Sequence, residues 1–323
     1  MGDDPSAEVQ PELRAVEELI SESIRSEEPL LTEISRYVID SGGKRIRPTV
    51  ILLAFRAVGG RDAKTAVRMA AAMEMIHSAT LLHDDINDGG VNRRGREAAY
   101  LKYGVQNALV TGDFLYVKSF AIGGQFPQDI VQITASVCAG LAEGEIRQRR
   151  LSGDLHATRE QYLDVVRKKT ALPISAGARV GAHLGGGEPK AVEALARYGL
   201  NLGIAFQIVD DILDVIGDER TLGKRVGSDV REGNMTLLPI HALNDGASID
   251  VRLLARLLQK REKTEEETTQ VLGLLKDSGA VEKARSDARR FAFDAKESLL
   301  DLGENRFRDA LARLADFVIA RQA

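Results

Sequence analysis

The chain has 323 residues, with 44 Lys and Arg against 48 Asp and Glu for a net charge of −4, and is 44% hydrophobic and 28% charged. These proportions are globular and exclude collagen-like, low-complexity and disordered architectures. Mild acidity, with basic residues not interleaved with aromatics, also lacks the electrostatic footprint of a nucleic-acid surface.

Eight prolines, no Trp and recurrent Ala, Leu, Arg and Glu favour helices over sheets, so the expected fold class is all-α. Residues 8–40 form an acidic amphipathic stretch. The turn-like SGGKRIRP at 41–48 follows, then an apolar helix from about Thr49, with Pro48 suited to a first turn. Helical periodicity continues over 62–88, 105–121, 128–152, 158–183, 188–216 and 236–245, broken at DGG, GGQFPQ, LSGD, LGGGEP and GDERTLGKRVGSDVREGN. No strand-like alternation is evident. The tail from Ile249 holds the run KREKTEEETTQ and two amphipathic segments near 281–301 and 304–321, whose charges read as a solvated face. Neither a repeat of ~20–50 residues nor a Ser/Pro-rich linker divides the chain, so one domain over 1–323 is expected. The longest strongly apolar run, TVILLAF at 49–55, falls short of the ~18 residues that cross a bilayer, and a cytoplasmic protein is expected. Cys138, the single cysteine, lies in ITASVCAGL and reads as a small buried hydrophobe.

Two acidic pentapeptides stand out, DDIND at 84–88 and DDILD at 210–214, each inside an apolar helical segment. Residues four apart share a helix face, so Asp84 stacks over Asp88 and Asp210 over Asp214, with Asp85 and Asp211 alongside. Leu81, Leu82, Ile208, Val209, Ile212 and Leu213 mark both helices as largely buried, where unpaired carboxylates are costly, so a cation has to sit among them. An oxygen-rich set without a Cys/His cluster favours a hard divalent ion, and Mg²⁺ prefers a few carboxylates with waters and substrate phosphates. The inference is a metal-bridged phosphate ester. Cations cluster elsewhere, at Lys44, Arg45 and Arg47, at Arg93 and Arg94, at Lys168 and Lys169, and at Lys224. Two diphosphates bring roughly six negative charges and the motifs about six more, so neutrality needs about three divalent ions and about six basic side chains. GDERTLGKR at 217–225 fails as a P-loop in its glycine spacing and at Arg225.

The motifs GGKRIRP, EMIHSATLLHDDINDGGVNRRG, GDFLY, KKT, FQIVDDILD and GKRVGSDVREGNMTL together resemble those of the trans-prenyl (polyprenyl) diphosphate synthases, over a core of roughly residues 20–245. C-terminal helices at 249–323 lie outside it. The resemblance implies an isoprenoid synthase-like all-α bundle around a deep central cavity. It also implies a homodimer that condenses isopentenyl diphosphate onto an allylic diphosphate with Mg²⁺. Metal ligation is thereby implied for Asp84, Asp88, Asp210 and Asp214, with Asp85 and Asp211 in support. Lys44, Arg47, His77 and Arg94 are implied contacts of isopentenyl diphosphate, and Arg93, Lys169, Thr170, Gln207 and Lys224 of the allylic substrate. Arg93, Lys169 and Lys224 join the aspartates in the catalytic set. Helix spacing agrees in part, since His77 and Asp84, like Gln207 and Asp214, lie two turns apart on one stripe. His156, His183 and Arg45 are read as structural or surface, and His83 receives no role. Many relatives carry Lys where this chain has Asn234; a neutral donor there implies weaker substrate binding rather than inactivity.

In short-product relatives the fifth residue before the first acidic motif is often Phe or Tyr, and here it is Ala79. With Thr80 beside it and Ile76 one turn deeper, the product exit reads as open at that level, so a product longer than C20 is expected. Met73 and Val137 are candidates for a lower floor. The rivals are a farnesyl- or geranylgeranyl-length synthase, a class I terpene cyclase, and a noncatalytic subunit of a two-component synthase. DDILD differs from a cyclase's second motif, and such a subunit would not need both acidic motifs with Arg93 and Arg94.

Overall fold

A computed structural model of the chain describes residues 4–217, 226–245 and 249–320. Among the described residues the fold is all-α apart from one hairpin of two-residue strands. The described residues form two compact units, one within 4–135, 173–199 and 298–314, the other within 136–172, 200–217, 226–245, 249–297 and 315–320.

In the first unit the acidic amphipathic stretch over 8–40 holds two helices, α1 (Gln10–Ser23) and α2 (Pro29–Ile39). Pro29 takes a first-turn position, where its missing N–H costs nothing, and the Glu28 side chain caps the helix by accepting from Leu30 N at 3.2 Å. α3 (Ile46–Ala57) starts slightly earlier than expected and buries nearly every residue. α4 (Lys64–Asp88) packs against α1, α3 and α6 (Val105–Gly123), and buries Ala66, Ala70, Ala71 and Ala72, whose small side chains permit close approach on several sides. It ends in the first acidic motif. Between α4 and α6 lie the hairpin β1 (Asn92–Arg93) and β2 (Arg96–Glu97) and the short α5 (Ala99–Tyr103). This hairpin was not expected, because two-residue strands are too short to show alternation.

α7 (Gln128–Leu151) matches its expected span. The periodic run at 158–183 resolves into α8 (Arg159–Val166), a π-helical turn (Arg167–Ala171) and α9 (Leu172–Leu184). α10 (Pro189–Ile216) carries the second acidic motif near its end. Beyond it come α11 (Ser228–Glu232), α12 (Leu237–Asp245), α13 (Val251–Leu258), α14 (Glu265–Asp277), α15 (Ala280–Ser298) and α16 (Arg306–Ile319). α14 grows from a capping box, in which the Thr264 hydroxyl accepts from Glu267 N and the Glu267 carboxylate accepts from Thr264 N. Cys138 is half-buried rather than fully buried, on α7. Among the described residues no helix is long and apolar enough to cross a membrane.

Candidate active site

In the first unit the site grows from the junction of α4 with the hairpin. Asp85 is buried, and Arg93 donates to its Oδ1 through Nε at 2.8 Å and through Nη2. Burial pushes the Asp85 carboxyl up, and Arg93 opposes it. For Arg93 burial pulls down, but Asp85, with Asp84 and Asp88 behind it, carries the net shift upward. Asp84 is half-buried and Asp88 exposed. The hairpin turns through Arg94 and Gly95, with φ of +52° and +76°. Positive φ at both central residues is what a two-residue type I′ turn needs, and glycine supplies one of them without strain. The turn lays Arg94 against the loop before α3, where it donates to Gly42 O. Gly43, the second glycine of GGKR, has φ of +133°, a backbone conformation that favours glycine, and the Arg94 guanidinium lies where its Cβ would be, 2.8 Å away.

Arg45 precedes α3 with φ +45° and donates to Glu74 Oε1 and to Ile39 O, each at 2.9 Å. Glu74, 3% exposed on α4, is thus a buried counter-charge. His77 stands one turn beyond it. Burial holds the His77 pKa well below the ordinary histidine value, and Arg47, Arg94, Arg93 and Arg45 push the same way. Arg47 is lowered by burial, with Glu74 opposing and Arg94 reinforcing. Arg94 is likewise lowered by burial, against Glu74. The result is a neutral imidazole amid guanidinium charges that repel one another, an arrangement an anion would relieve. Lys44 is exposed on the same loop. His83, beside Asp84, reaches α6: its Nε2 lies 3.2 Å from Leu109 O and 3.7 Å from Asp113 Oδ1. A Cβ on Gly112 would fall 2.2 Å from that nitrogen, so the glycine of GDFLY makes room for His83.

The chain-length residues on α4 are buried, Ala79 with 0% exposure and Ile76 and Met73 with 3%. Thr80 turns its hydroxyl to His77 O at 2.8 Å.

In the second unit the π turn presents KKT. Its flanks are glycines: a Cβ on Gly144 of α7 would meet Lys169 Cγ at 2.7 Å, and one on Gly203 of α10 would meet Ala171 Cα at 2.5 Å. Thr170 Oγ1 donates to Gln207 Oε1 at 2.8 Å, and Gln207 Nε2 donates to Asp211 Oδ1 at 2.8 Å. Tyr162 donates to Asp211 Oδ2 at 2.6 Å. Burial and the Asp229 charge push the Asp211 carboxyl well above its usual range, while the Tyr162 and Gln207 hydrogen bonds pull it back. Lys169 Nζ pairs with Glu145 Oε2 at 2.5 Å and donates to Gln148 Oε1 at 2.7 Å. Lys168 pairs with Glu143 at 2.6 Å. Asp210 is half-buried; Asp214 is fully buried and accepts from Ser228 N at 3.3 Å and Asp229 N at 3.0 Å. The Asn234 amide donates to Asp229 Oδ1 at 3.1 Å and Glu232 Oε2 at 2.7 Å, within its own loop. Lys224 lies outside the described residues.

Sequence reading missed Glu74 and Tyr162. The i, i+3 spacing of Glu74 and His77 on one helix face was a signal for the first. Tyr162 offered none.

Residues 28–275 match the family described as Polyprenyl synthetase. A short chain isoprenyl diphosphate synthase of Methanothermobacter thermautotrophicus is 38% identical over 95% of each chain. A polyprenyl synthase structure from Caulobacter crescentus CB15, complexed with calcium and isoprenyl diphosphate, is similar with a TM-score of 0.95 and 36% identity, over 99% of this chain and 98% of that one. A decaprenyl diphosphate synthase from Rhodobacter capsulatus gives 0.90 at 36% identity, over 98% of both.

Proposed function

This chain belongs to the polyprenyl synthetase family of trans-prenyl diphosphate synthases, and on that footing we propose that it makes an all-trans polyprenyl diphosphate longer than C20. The reaction is the 1′-4 condensation of isopentenyl diphosphate onto an allylic diphosphate, assisted by Mg²⁺. The observation that carries the reading is the basic cluster of Arg47, Arg93, Arg94 and neutral His77 beside DDIND, which suits a diphosphate.

The motifs supply carboxylate oxygens, the donors a hard ion prefers. Among the described residues no three His, Cys, Asp or Glu side chains form a closed site, and Mg²⁺ characteristically completes its shell with water and substrate phosphate. Asp84, Asp88, Asp210 and Asp214 would hold about three such ions; Asp214 would share its oxygens with the two backbone N–H groups. When bound, the metal neutralises the charge that grows on the leaving diphosphate as its C–O bond breaks. Asp85 and Asp211 act in support, the first anchoring Arg93 and the second Gln207. Lys44, Arg47, His77 and Arg94 bind the diphosphate of isopentenyl diphosphate, His77 as a neutral N–H donor. Arg93, Lys169, Thr170, Gln207 and Lys224 serve the allylic diphosphate, for which Lys169 exchanges Glu145 for phosphate. No protein nucleophile is required: the double bond of isopentenyl diphosphate attacks the allylic cation, and the departed diphosphate takes the proton. Apolar helix surfaces exclude the water that would quench the cation. The working protein is a cytoplasmic homodimer of one catalytic domain per chain.

Ala79, small where an aromatic would block α4, supports a long product; its neighbours then have to yield to the growing chain. The Methanothermobacter relative's name favours a shorter one. Incubation of the purified protein with Mg²⁺, isopentenyl diphosphate and allylic primers, followed by sizing, decides. Products beyond C20 are expected, shortened by Ala79→Phe. Products of C20 or less from the unaltered chain, or an unchanged distribution in the variant, would overturn the length reading. A cyclised hydrocarbon would indicate a cyclase, and silence without a second chain a noncatalytic subunit.

A further inference from the structure

One end of the hydrogen-bonded chain in the second unit has no place in the reaction described above. Tyr162 on α8 is buried and donates to Asp211 Oδ2 at 2.6 Å. The other carboxylate oxygen accepts from Gln207 Nε2 at 2.8 Å, one helical turn away on α10. Gln207 Oε1 accepts the single hydroxyl proton of Thr170 at 2.8 Å. Asp211 thus meets the nitrogen end of the Gln207 amide, and the Thr170 hydroxyl meets the oxygen end. The amide is therefore fixed in one orientation, and what it retains for a ligand is its second N–H.

We propose that Tyr162 is a positioning residue for the allylic diphosphate: by holding Asp211 it fixes Gln207 with an N–H, rather than a carbonyl, for the anion. The proposal rests on the reading of Gln207 as an allylic-substrate contact. Close packing keeps the network short, since the glycines at 144 and 203 bring α7 and α10 against the π turn that carries Thr170. Without the tyrosine hydroxyl, Oδ2 loses a partner and the carboxylate can rotate, which releases Gln207 to present either end. A carbonyl facing a diphosphate would repel it.

The test compares Tyr162→Phe with Tyr198→Phe. Tyr198 is a matched control, fully buried in the first unit, with its hydroxyl donating to Leu311 O at 2.8 Å. Both changes remove one buried hydroxyl. Tyr162→Phe is expected to raise KM for the allylic diphosphate about tenfold, and to weaken Mg²⁺-dependent binding of inorganic pyrophosphate by a similar factor in calorimetry. It should leave KM for isopentenyl diphosphate within about twofold, and Tyr198→Phe should leave all three quantities within about twofold. Equal shifts in the two variants, or a parallel rise in both KM values in Tyr162→Phe, would overturn the proposal by making the hydroxyl merely structural. If Tyr162→Phe does not fold, Asp211→Asn takes its place, because an amide there can meet either end of Gln207; an unchanged allylic KM in that variant sinks the idea. Failure of the synthase reading shows differently, as an unaltered protein that forms no polyprenyl diphosphate, and pyrophosphate binding then still decides the role of Tyr162.

Discussion

His77 has one-sided surroundings: burial and four arginines all oppose its protonation. Its folded pKa lies below the unfolded value of 6.5, so between the two values the unfolded chain binds more protons than the folded one. Its contribution to stability is therefore complete above the unfolded value and is lost as pH falls through the folded one. Thermal melts between about pH 7.5 and about pH 5 should show the unaltered protein losing stability more steeply than His77→Gln, and identical slopes would remove the imidazole from the cluster's electrostatics. The same residue shows what was legible at this scale. His77 and the aspartates declare themselves through local spacing on one helix. Glu74 and Tyr162 act on partners 29 and 49 residues away, a pairing that a lone sequence does not display. Asn234 was legible as a departure from a motif, but not as a residue whose donors its own loop consumes.

Among the elements, the boundaries of α4, α6, α7 and α10 followed from apolar periodicity and the glycine-rich breaks between them. The π turn did not, since one extra residue in a single turn barely disturbs the period of a run such as 158–183. Its position has a consequence that separates function from stability. Gly203→Ala drives a methyl toward Ala171 backbone, an overpacking that costs about 1–3 kcal/mol, and it displaces the turn that carries Lys169 and Thr170. Thr264→Ala removes the cap of α14 for about 1 kcal/mol. Both variants should melt earlier. Only Gly203→Ala should raise KM for the allylic diphosphate, by about tenfold if one charged hydrogen bond is lost. Kinetics that stay normal in Gly203→Ala would separate the π turn from substrate binding.

At the scale of the molecule, α6 poses a problem that a single chain does not solve. One side of it is buried through Ala108, Thr111, Gly112, Leu115, Ser119 and Ile122. The opposite side exposes Val105, Leu109, Val110, Val117 and Phe120, with Val117 at 64%. A helix apolar on both sides belongs in an interior, and a second copy laid against this face would place it in one. The proposed homodimer thus has a physical motive in this chain's own residues. It also connects to the chemistry, because α6 seats His83 at Gly112, next to Asp84. Sedimentation should find a dimer in the unaltered protein and a monomer in the double variant Val117→Asp/Phe120→Asp. The monomer, keeping its helix content by circular dichroism, should lose at least about tenfold in kcat/KM, as expected if one hydrogen bond of the acidic-motif turn loosens. A monomeric unaltered protein, or a fully active monomeric variant, would leave the exposed face of α6 to another use and detach it from the site.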